Sequence, residues 1–545
     1  MRRHNLPSSG VVGGRMHTRT AGRLVCVAGT LVCAILQLCR TGAAADDSGN
    51  NSLQQWRRLA IDRAVTTAGA ITDPYRRAGA FTGIAKAQVA ADETRKAEAS
   101  IRSALAAAGQ VAEPAFRGWA FHDIVQVQIA ADDPIGATQT VERIVTDRPL
   151  GAALALIADM QLRAGNLAAA QATATKIRND ASQSEVLRQI VAIQASTDAL
   201  PAARQNLRLV DDAFYQAYAL GDVAVAEIRH GNLKAADALA MRARKNYRAL
   251  VYGRIALARV DAGDVRGGLD TLARIDDPIS RAAIQGRVAS ERAKAGDAAE
   301  AQRLFVSALS SLDVVPEEPY RKAVTFSQLA RMQTASGDRA GARETLQRAL
   351  AVGSGLKPGE QRDDALDLVA RGQARAGDAE AAMATVSHVT DRITRALLIR
   401  DVVTVRTEQD DATAAGIAGF DDPLMRTAAL FGVLGAQLTR SNGSVSAAII
   451  DAAHASVRSI AEAELKPAAF AALASVRFSS GDRDGGWSIF QEALASAEAL
   501  TREDQRATAY TRIVDALSER LLFLGQPARA EPSPASLPSP SGEGR

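Results

Sequence analysis

Aromatic residues are scarce in this chain of 545 residues, and cysteines are fewer still. Phe, Tyr and Trp together make up 4% of the sequence, and alternating runs of β-branched residues are missing. Those are the residues that strands favour, whereas the abundant alanine is the best helix former. The composition therefore argues against a β-rich fold and predicts an all-α protein, organised as one repetitive body rather than as several unlike domains.

All three cysteines lie within the first 39 residues, in a segment typical of a secretory leader. Residues 1–45 combine six arginines and no acidic residue with an apolar run over 24–38 and three closing alanines. We expect cleavage near Ala45, with either Met1 or Met16 as the true start. The apolar run is short and interrupted, which disfavours a retained membrane span. The mature protein is expected to be periplasmic or secreted, without thiols, disulfides or cysteine metal ligands.

An excess of positive charge is also lacking once the leader is set aside. The whole chain has a formal net charge of +4, but the leader holds six of its basic residues. The remainder has 59 basic and 61 acidic residues, a net charge of −2. Binding to nucleic acid depends mainly on neutralising phosphates, so we expect no nucleic-acid partner.

Recognisable catalytic motifs are missing from the residues after the leader. The sequence contains no HExxH, GxxxxGK[ST] or GxSxG pattern. Acidic pairs such as Asp276-Asp277 and Asp421-Asp422 could suggest glycosidase carboxylates, but each precedes a proline, where helix capping explains them better. We expect no catalytic residue, no metal and no cofactor. The four histidines are far apart in the sequence and are interpreted as isolated: His122, His230, His388 and His454.

What the sequence does contain is an internal repeat. A glycine, then Asp or Asn, then Ala or Gly four residues later return along the chain, mostly every 32 to 34 residues. Internal repeats of this length are typical of stacked helical hairpins. The position of the Asp or Asn, here called the anchor, occurs at 93, 133, 166, 198 (within one residue), 232, 264, 297, 338, 378, 411, 444 and 482.

Each part of the repeat has a physical reason. The glycine suits the left-handed residue that ends a helix, and the anchor suits the N-cap of the next helix. The small residue four places after the anchor is expected to face an alanine eight places before it, where the two helices of a hairpin come close. Steps such as Asp277-Pro278 are expected to begin the next hairpin, with Asp as the cap and Pro in the first turn.

The turn and the two small positions resemble those of the tetratricopeptide repeat family. The resemblance is clearest over residues 329–350 and 473–494, which carry both small residues, the Gly-Asp turn and a closing Ala-Leu. It implies an all-α, right-handed superhelical solenoid of about twelve helical hairpins with capping helices. Ser52–Ile71, with Trp56, and Arg506–Leu524 are the expected caps. The expected segments are a signal peptide over 1–45, a short linker over 46–54, the repeat domain over 55–525 and a disordered Pro- and Ser-rich tail over 526–545.

Two ladders of polar residues recur at fixed distances before the anchor. The junction ladder lies sixteen residues before the anchor, in the first turn of a helix, where a cation is unfavourable because the helix dipole is positive there. Its side chains are therefore expected either to bond to the preceding junction or to form an edge for an anionic polymer. In the turn ladder, five residues before the anchor, a long polar side chain replaces the family's usual aromatic residue and is expected to fill the space between hairpins. The junction ladder comprises Arg77, Arg117, Arg248, Arg281, Lys322, Arg362, Arg395 and Lys466. The turn ladder comprises Gln88, Gln128, Gln161, Glu227, Arg259, Arg292, Gln333, Gln373, Arg406 and Arg477.

A candidate ligand site follows from the family resemblance. In tetratricopeptide arrays, the positions seven and three before the anchor usually face the concave groove. Here several of these positions are charged, although a solvated helix face is the competing interpretation. The candidate ligand-binding residues are Lys86, Gln126, Asp159, Arg163, Arg229, Lys294, Arg331, Arg371 and Arg375.

Together these features predict a non-catalytic, exported scaffold or adaptor whose groove holds a protein segment or peptide in the cell envelope. Nine lysines against 56 arginines suggest a bacterium with a GC-rich genome, and hence a periplasmic location. The alternative is a helical scaffold or accessory protein of peptidoglycan or exopolysaccharide assembly or secretion, which handles an anionic polysaccharide. In either case we expect no integral membrane span in the mature chain.

Overall fold

A computed structural model describes residues 47–178, 180–315, 317–409, 420–440 and 445–517. The predicted signal peptide and tail, and the anchors at 411 and 444, lie outside these residues. Regular structure in the described ranges consists of 25 α-helices and two short 3₁₀-helices, without a β-strand. Among these helices we find none long and apolar enough to cross a membrane.

The described helices belong to two compact units. The first helix, α1 (Asp47–Ala70), contributes to both. The nine-hairpin unit comprises residues 63–390, and the two-segment unit comprises residues 47–62 together with 391–517. Because α1 begins at Asp47, helix occupies most of the range 46–54, where the sequence analysis predicts a linker.

Helices of the nine-hairpin unit follow one another in pairs, and a 3₁₀-helix, Lys245–Tyr247, precedes the sixth pair. The first helices of the pairs are α2 (Pro74–Ala90), α4 (Pro114–Ala130), α6 (Asp147–Arg163), α8 (Asp180–Ser196), α10 (Ala213–Arg229), α12 (Arg248–Asp261), α14 (Pro278–Lys294), α16 (Pro319–Ala335) and α18 (Glu360–Arg375). The second helices are α3 (Thr94–Gly109), α5 (Pro134–Val141), α7 (Leu167–Ala174), α9 (Leu200–Leu207), α11 (Leu233–Arg242), α13 (Val265–Leu272), α15 (Ala298–Asp313), α17 (Arg339–Ser354) and α19 (Ala379–Val386).

The turn inside each hairpin has the predicted chemistry. The residue before the anchor has a left-handed backbone, with φ between 74° and 92° at the glycines and 58° to 59° at three aspartates that take their place. Glycine adopts this conformation without the steric cost that a Cβ imposes. These residues are Gly165, Gly231, Gly263, Gly296, Gly337, Gly377 and Gly481, with Asp92, Asp132 and Asp198 at the equivalent places.

Most described anchors cap the second helix, as predicted. The Asp338 carboxylate accepts from the Gly341 amide at 2.9 Å, and Asp264 and Asp482 make the same bond. In the fourth hairpin the N-cap is Ala199, within one residue of the predicted anchor, and its side chain makes no capping bond. Side-chain oxygens at these places satisfy amides that a helix leaves unbonded, which explains why Asp and Asn recur.

The two small positions face each other inside the hairpin, as predicted. A Cβ added to Gly268 would lie 2.9 Å from the carbonyl oxygen of Ala256, eight residues before its anchor. The equivalent Cβ at Gly486 would lie 3.1 Å from the carbonyl oxygen of Ala474. The two helix backbones approach so closely at these glycines that even a Cβ is crowded, which explains why only small residues recur at this position.

Packing between hairpins is asymmetric in the nine-hairpin unit. Each first helix contacts the first helix of the next hairpin, so α2, α4 and α6 are successive neighbours and the row continues to α18. Each second helix packs against its own partner and the following first helix. The first helices consequently form a continuous layer, and their faces turned away from the second helices form one surface.

The two-segment unit combines both ends of the described chain. The Trp56 side chain of α1, only 5% exposed, packs against helices more than 400 residues later in the sequence. The sequence analysis places this helix before the first hairpin, and the structure adds that its residues 47–62 belong with the last helices. Those helices are α20 (Arg392–Gln409), α21 (Pro423–Arg440), α22 (Ala447–Arg458), α23 (Lys466–Ser479), α24 (Arg483–Glu498) and α25 (Glu503–Leu517), with a 3₁₀-helix at Ala463–Leu465.

Candidate functional site

The junction ladder binds the protein's own backbone. The Arg281 guanidinium donates to the carbonyl oxygen of Ile275 at 2.8 Å, and Arg117 donates to that of Val111 at 2.9 Å. Six of the eight ladder residues make such a bond to a carbonyl five to eight residues earlier, just before their own helix begins: Arg77, Arg117, Arg248, Arg281, Lys322 and Lys466. These bonds explain a cation at this position and remove the support for a polymer-binding edge.

The junction aspartate nearest to Arg281 bonds to residues other than that arginine. The carboxylate of Asp277 does not bind Arg281 but accepts from the amide and hydroxyl of Ser280 and from Arg321, whose Nη2 is 2.7 Å away. Although burial opposes the change, these bonds lower the pKa of Asp277 below its ordinary value. Arg321 comes from the next hairpin, so Asp277 both caps α14 and ties two hairpins together.

The turn ladder is also structural. The Gln333 carbonyl oxygen accepts from the Thr345 hydroxyl at 2.8 Å, and its amide donates to the Asp338 carboxylate at 3.3 Å. Gln373 accepts from Thr385 in the same way, at 2.7 Å. These glutamines are buried, so their polar atoms need partners within the protein. Their bonds join the first helix of the hairpin to the second helix and, at Gln333, to the anchor. The position therefore holds polar side chains for internal bonding.

Most of the candidate groove residues do not form one cluster. Lys86 and Gln126 are exposed on α2 and α4. Arg163 pairs with Asp159 one turn earlier, with Nη2 and Oδ2 2.7 Å apart. Arg229 donates to the carbonyl oxygen of Ala195 on the preceding first helix, α8, at 2.8 Å, and Lys294 pairs with Glu291 one turn earlier at 2.9 Å.

Three candidates do come together, at the end of the nine-hairpin unit. Arg331 lies on α16, and Arg371 and Arg375 lie one turn apart on the neighbouring helix α18. Desolvation, followed by the charges of Arg371 and Arg331, lowers the pKa of the Arg375 guanidinium below its usual range. The charges of Arg371 and Arg331 thus both act on Arg375, and we call these three residues the arginine cluster.

An acidic residue that the sequence analysis does not single out belongs to the same surface. The Asp367 carboxylate lies 3.0 Å from Nε of Arg371, one turn later on α18, and its charge also acts on Arg375. The i, i+4 spacing of Asp367 and Arg371 is a signal that the sequence does contain. Asp367 therefore pairs with one member of the arginine cluster and lies on the same surface as the others.

The described residues form an array of helical hairpins, which are similar to tetratricopeptide repeats in their turns and small positions. No family model and no curated protein matches it. Among solved structures it is similar to the human IFIT1 dimer with PPP-AAAA, at 13% sequence identity and a TM-score of 0.26, over 85% of this chain and 99% of that chain. It is also similar to a circular tandem repeat protein with novel repeat topology, at 13% identity and a TM-score of 0.12, over 87% of this chain and 85% of that chain. Both likenesses are too distant to bear on function.

A second charged group lies on the first helices in the middle of the nine-hairpin unit. Arg254 of α12 forms an ion pair with Asp222 of α10, and its side chain crosses Gly221, where an added Cβ would clash with it. Burial raises the pKa of Asp222, while the charges of Arg254 and Arg188 oppose that change. Arg254 and Asp222 therefore neutralise each other's charge.

The chemistry available to the arginine cluster is binding rather than bond making. Guanidinium groups hold carboxylates through paired, charge-assisted hydrogen bonds and do not transfer protons near neutral pH. In the described ranges, His, Cys, Asp and Glu side chains form no group of three that could hold a metal ion. The geometry therefore supports recognition of an anionic group at this end of the unit.

Proposed function

We propose that this protein is a non-catalytic scaffold or adaptor whose arginine cluster holds an acidic segment of a protein partner. The observation that supports the site is that Arg331, Arg371 and Arg375 lie near one another: desolvation lowers the pKa of Arg375, and the charges of Arg371 and Arg331 lower it further. Bringing three like charges together is unfavourable, and a bound carboxylate relieves that repulsion. Planar guanidiniums also suit bidentate binding of carboxylates.

The compactness of the arginine cluster favours a peptide over a long anionic polymer. The residues equivalent to Arg331 on α10, α12 and α14 are Val225, Leu257 and Ser290, which carry no charge. The cations at the position of Arg375 on α10 and α14, Arg229 and Lys294, bond to Ala195 and Glu291. A polysaccharide bound along the helix layer would need cations repeated on successive hairpins. The cluster instead suits a few carboxylates close together, as in an acidic stretch of a polypeptide chain.

A charge-matched pair of variants tests the site. Changing Arg331, Arg371 and Arg375 together to glutamine is expected to weaken binding of a fluorescein-labelled octaglutamate peptide by at least about tenfold, because charge-assisted bonds are lost. Glutamine keeps a donor for Asp367. The control variant changes Arg281, Lys322 and Arg362 to glutamine, which removes the same charge from the junction ladder, and its affinity should stay close to that of the parent.

Fluorescence anisotropy at fixed ionic strength measures both affinities, and circular dichroism confirms that both variants remain helical. Equal weakening in the two variants would show that net charge, and not the cluster, governs binding. Polygalacturonate added as a competitor tests the alternative function. Displacement of the peptide at lower carboxylate concentration than by unlabelled octaglutamate would favour the handling of an anionic polysaccharide.

We further propose that the protein acts in the bacterial cell envelope after export. The support is the leader pattern of residues 1–45, with its arginines, apolar run and terminal alanines. N-terminal sequencing of the protein recovered from the periplasm is expected to begin at or near Asp46. Recovery of the intact N-terminus at Met1 or Met16 in the membrane pellet would contradict this proposal.

A further inference from the structure

The first helix of the second hairpin, α4, carries two aromatic residues and an acid on one face. Phe116, Trp119 and Asp123 are spaced i, i+3 and i+7, which places them in line along one side of the helix. Tyr75 of the neighbouring helix α2 meets Phe116, with ring centroids 5.3 Å apart. Both of these rings are exposed, in a chain whose aromatic residues are scarce. We call Tyr75, Phe116, Trp119 and Asp123 the Asp123 site.

The Asp123 carboxylate lies near these rings and faces solvent. Burial raises the pKa of the Tyr75 phenol, and the charge of Asp123 raises it further. The Asp123 side chain is 52% exposed, and its Oδ1 lies 3.0 Å from Nδ1 of His122, which packs edge-on against the Trp119 indole. Within the described ranges, no arginine or lysine pairs with Asp123. The site therefore combines exposed rings with an accessible carboxylate.

The fifth hairpin repeats this pattern and shows which partner its carboxylate takes. Tyr215, Tyr218 and Asp222 of α10 lie seventeen, fourteen and ten residues before their anchor, the same distances as in α4. There the carboxylate accepts from the guanidinium of Arg254 on the next first helix, and the Asp222 side chain is only 11% exposed. The Arg254 side chain reaches it by crossing Gly221. In this protein, the aspartate of the pattern thus takes an arginine as its partner.

The second hairpin has no such arginine on the neighbouring first helices. The position equivalent to Arg254 is Leu156 on α6, and the same position on α2 is Gly83. The equivalent of Gly221 is His122, so an imidazole stands where the fifth hairpin leaves a gap for the arginine side chain. Asp123 is therefore open to a cation that arrives from solvent and not from the next helix.

We propose that the Asp123 site binds an arginine side chain from a basic segment of a protein partner. The occupant follows from charge complementarity and from the comparison with Arg254. Guanidiniums pair with carboxylates through charge-assisted hydrogen bonds and stack on aromatic faces. Asp123 provides the carboxylate, and the exposed rings of Tyr75 and Phe116 provide the faces.

This site goes beyond the proposed function and does not depend on it. It lies on the first two hairpins, whereas the arginine cluster lies on the eighth and ninth, and it selects the opposite charge. A partner that engages both sites presents a basic segment to one end of the nine-hairpin unit and an acidic segment to the other.

Binding of an arginine peptide to full-chain variants tests this proposal. The probe is a rhodamine-labelled GSRRSG peptide, and fluorescence anisotropy at fixed ionic strength measures its affinity. Asp123→Asn keeps the shape of the side chain and removes its charge, so it is expected to weaken binding by at least about tenfold. Phe116→Ala should weaken binding by about two- to fivefold, the effect of one exposed cation–π contact. Both side chains are exposed, so both variants should unfold at the same temperature as the parent.

The matched control is Asp261→Asn, which removes the same charge from an exposed aspartate at the end of α12. Its affinity for the arginine peptide should stay close to that of the parent. Equal weakening by Asp123→Asn and Asp261→Asn would overturn the proposal, because net charge would then govern binding. So would unchanged binding to Asp123→Asn.

A neutral peptide tests the need for a cation in the ligand. Citrulline in place of both arginines keeps the planar end of the side chain without its charge, and this peptide should bind at least about tenfold more weakly. Equal binding of the two peptides would overturn the proposal. Octaglutamate, the probe of the arginine cluster, is measured on the same variants, so that loss of one site is distinguished from loss of the other.

Discussion

Replacing Trp56 with alanine is expected to lower the free energy of unfolding of the two-segment unit by about 3–5 kcal/mol, the usual cost of truncating a large buried aromatic side chain. The indole is 5% exposed and contacts three aromatic rings. Its removal leaves a cavity beside Phe490, which is fully buried. Urea unfolding followed by far-UV circular dichroism and by tryptophan emission measures the effect.

Matched changes at the same place separate this interpretation from a general effect on the helix. Gln55→Ala alters an exposed neighbour and should change stability by less than about 0.5 kcal/mol. Trp56→Phe keeps a ring beside Phe478 and Phe490, and its free energy of unfolding should lie between those of the parent and Trp56→Ala. If Trp56→Ala unfolds at the same urea concentration as Gln55→Ala, then α1 does not pack on the last helices as described.

Replacing Ala342 with phenylalanine is expected to destabilise the nine-hairpin unit by about 1–3 kcal/mol or more through overpacking. Ala342 on α17 and Ala330 on α16 are both fully buried, at the place where the two helices of the hairpin come closest. At the equivalent Gly268, even a Cβ would come within 2.9 Å of a backbone carbonyl oxygen. An aromatic ring therefore forces the helices apart, which also weakens contacts with neighbouring hairpins.

The control for this change lies two residues earlier on the same helix. Ala340 is exposed, so Ala340→Phe adds the same ring without entering the interface. The two variants are compared by the midpoint of urea unfolding. Similar midpoints would mean that the close faces of α16 and α17 are wrongly assigned, whereas a loss confined to Ala342→Phe supports the helix pairing.

The hairpin was predictable from sequence because its determinants are local. The left-handed glycine at 263, the cap at Asp264 and the small residue Gly268 lie within six residues, and each serves a backbone need that does not depend on distant parts of the chain. The same holds for Pro278 at the start of α14. Short-range rules repeated along the chain were therefore enough to predict an all-α array of hairpins.

The candidate site was predictable only in part. Spacing places Arg371 and Arg375 on one helix face, and the repeat aligns Arg331 with them. In the structure the charges of Arg371 and Arg331 both act on Arg375. The same spacing selected Lys86 and Arg163, whose surroundings differ. The repeat determines which face a residue occupies, whereas the neighbours on the next helix determine whether charges gather or neutralise each other.

By itself, the sequence determined the hairpin, its turn and the order of the helices, because these depend on interactions between residues close in the chain. Only the tertiary structure decided which partner each side chain binds. Arg281 donates to the carbonyl oxygen of Ile275 rather than to the nearby carboxylate of Asp277, which accepts from Arg321 of the following hairpin. Trp56 packs against rings more than 400 residues later in the sequence. Rules based on neighbouring residues cannot predict such a contact, because the two segments meet only when the chain is folded.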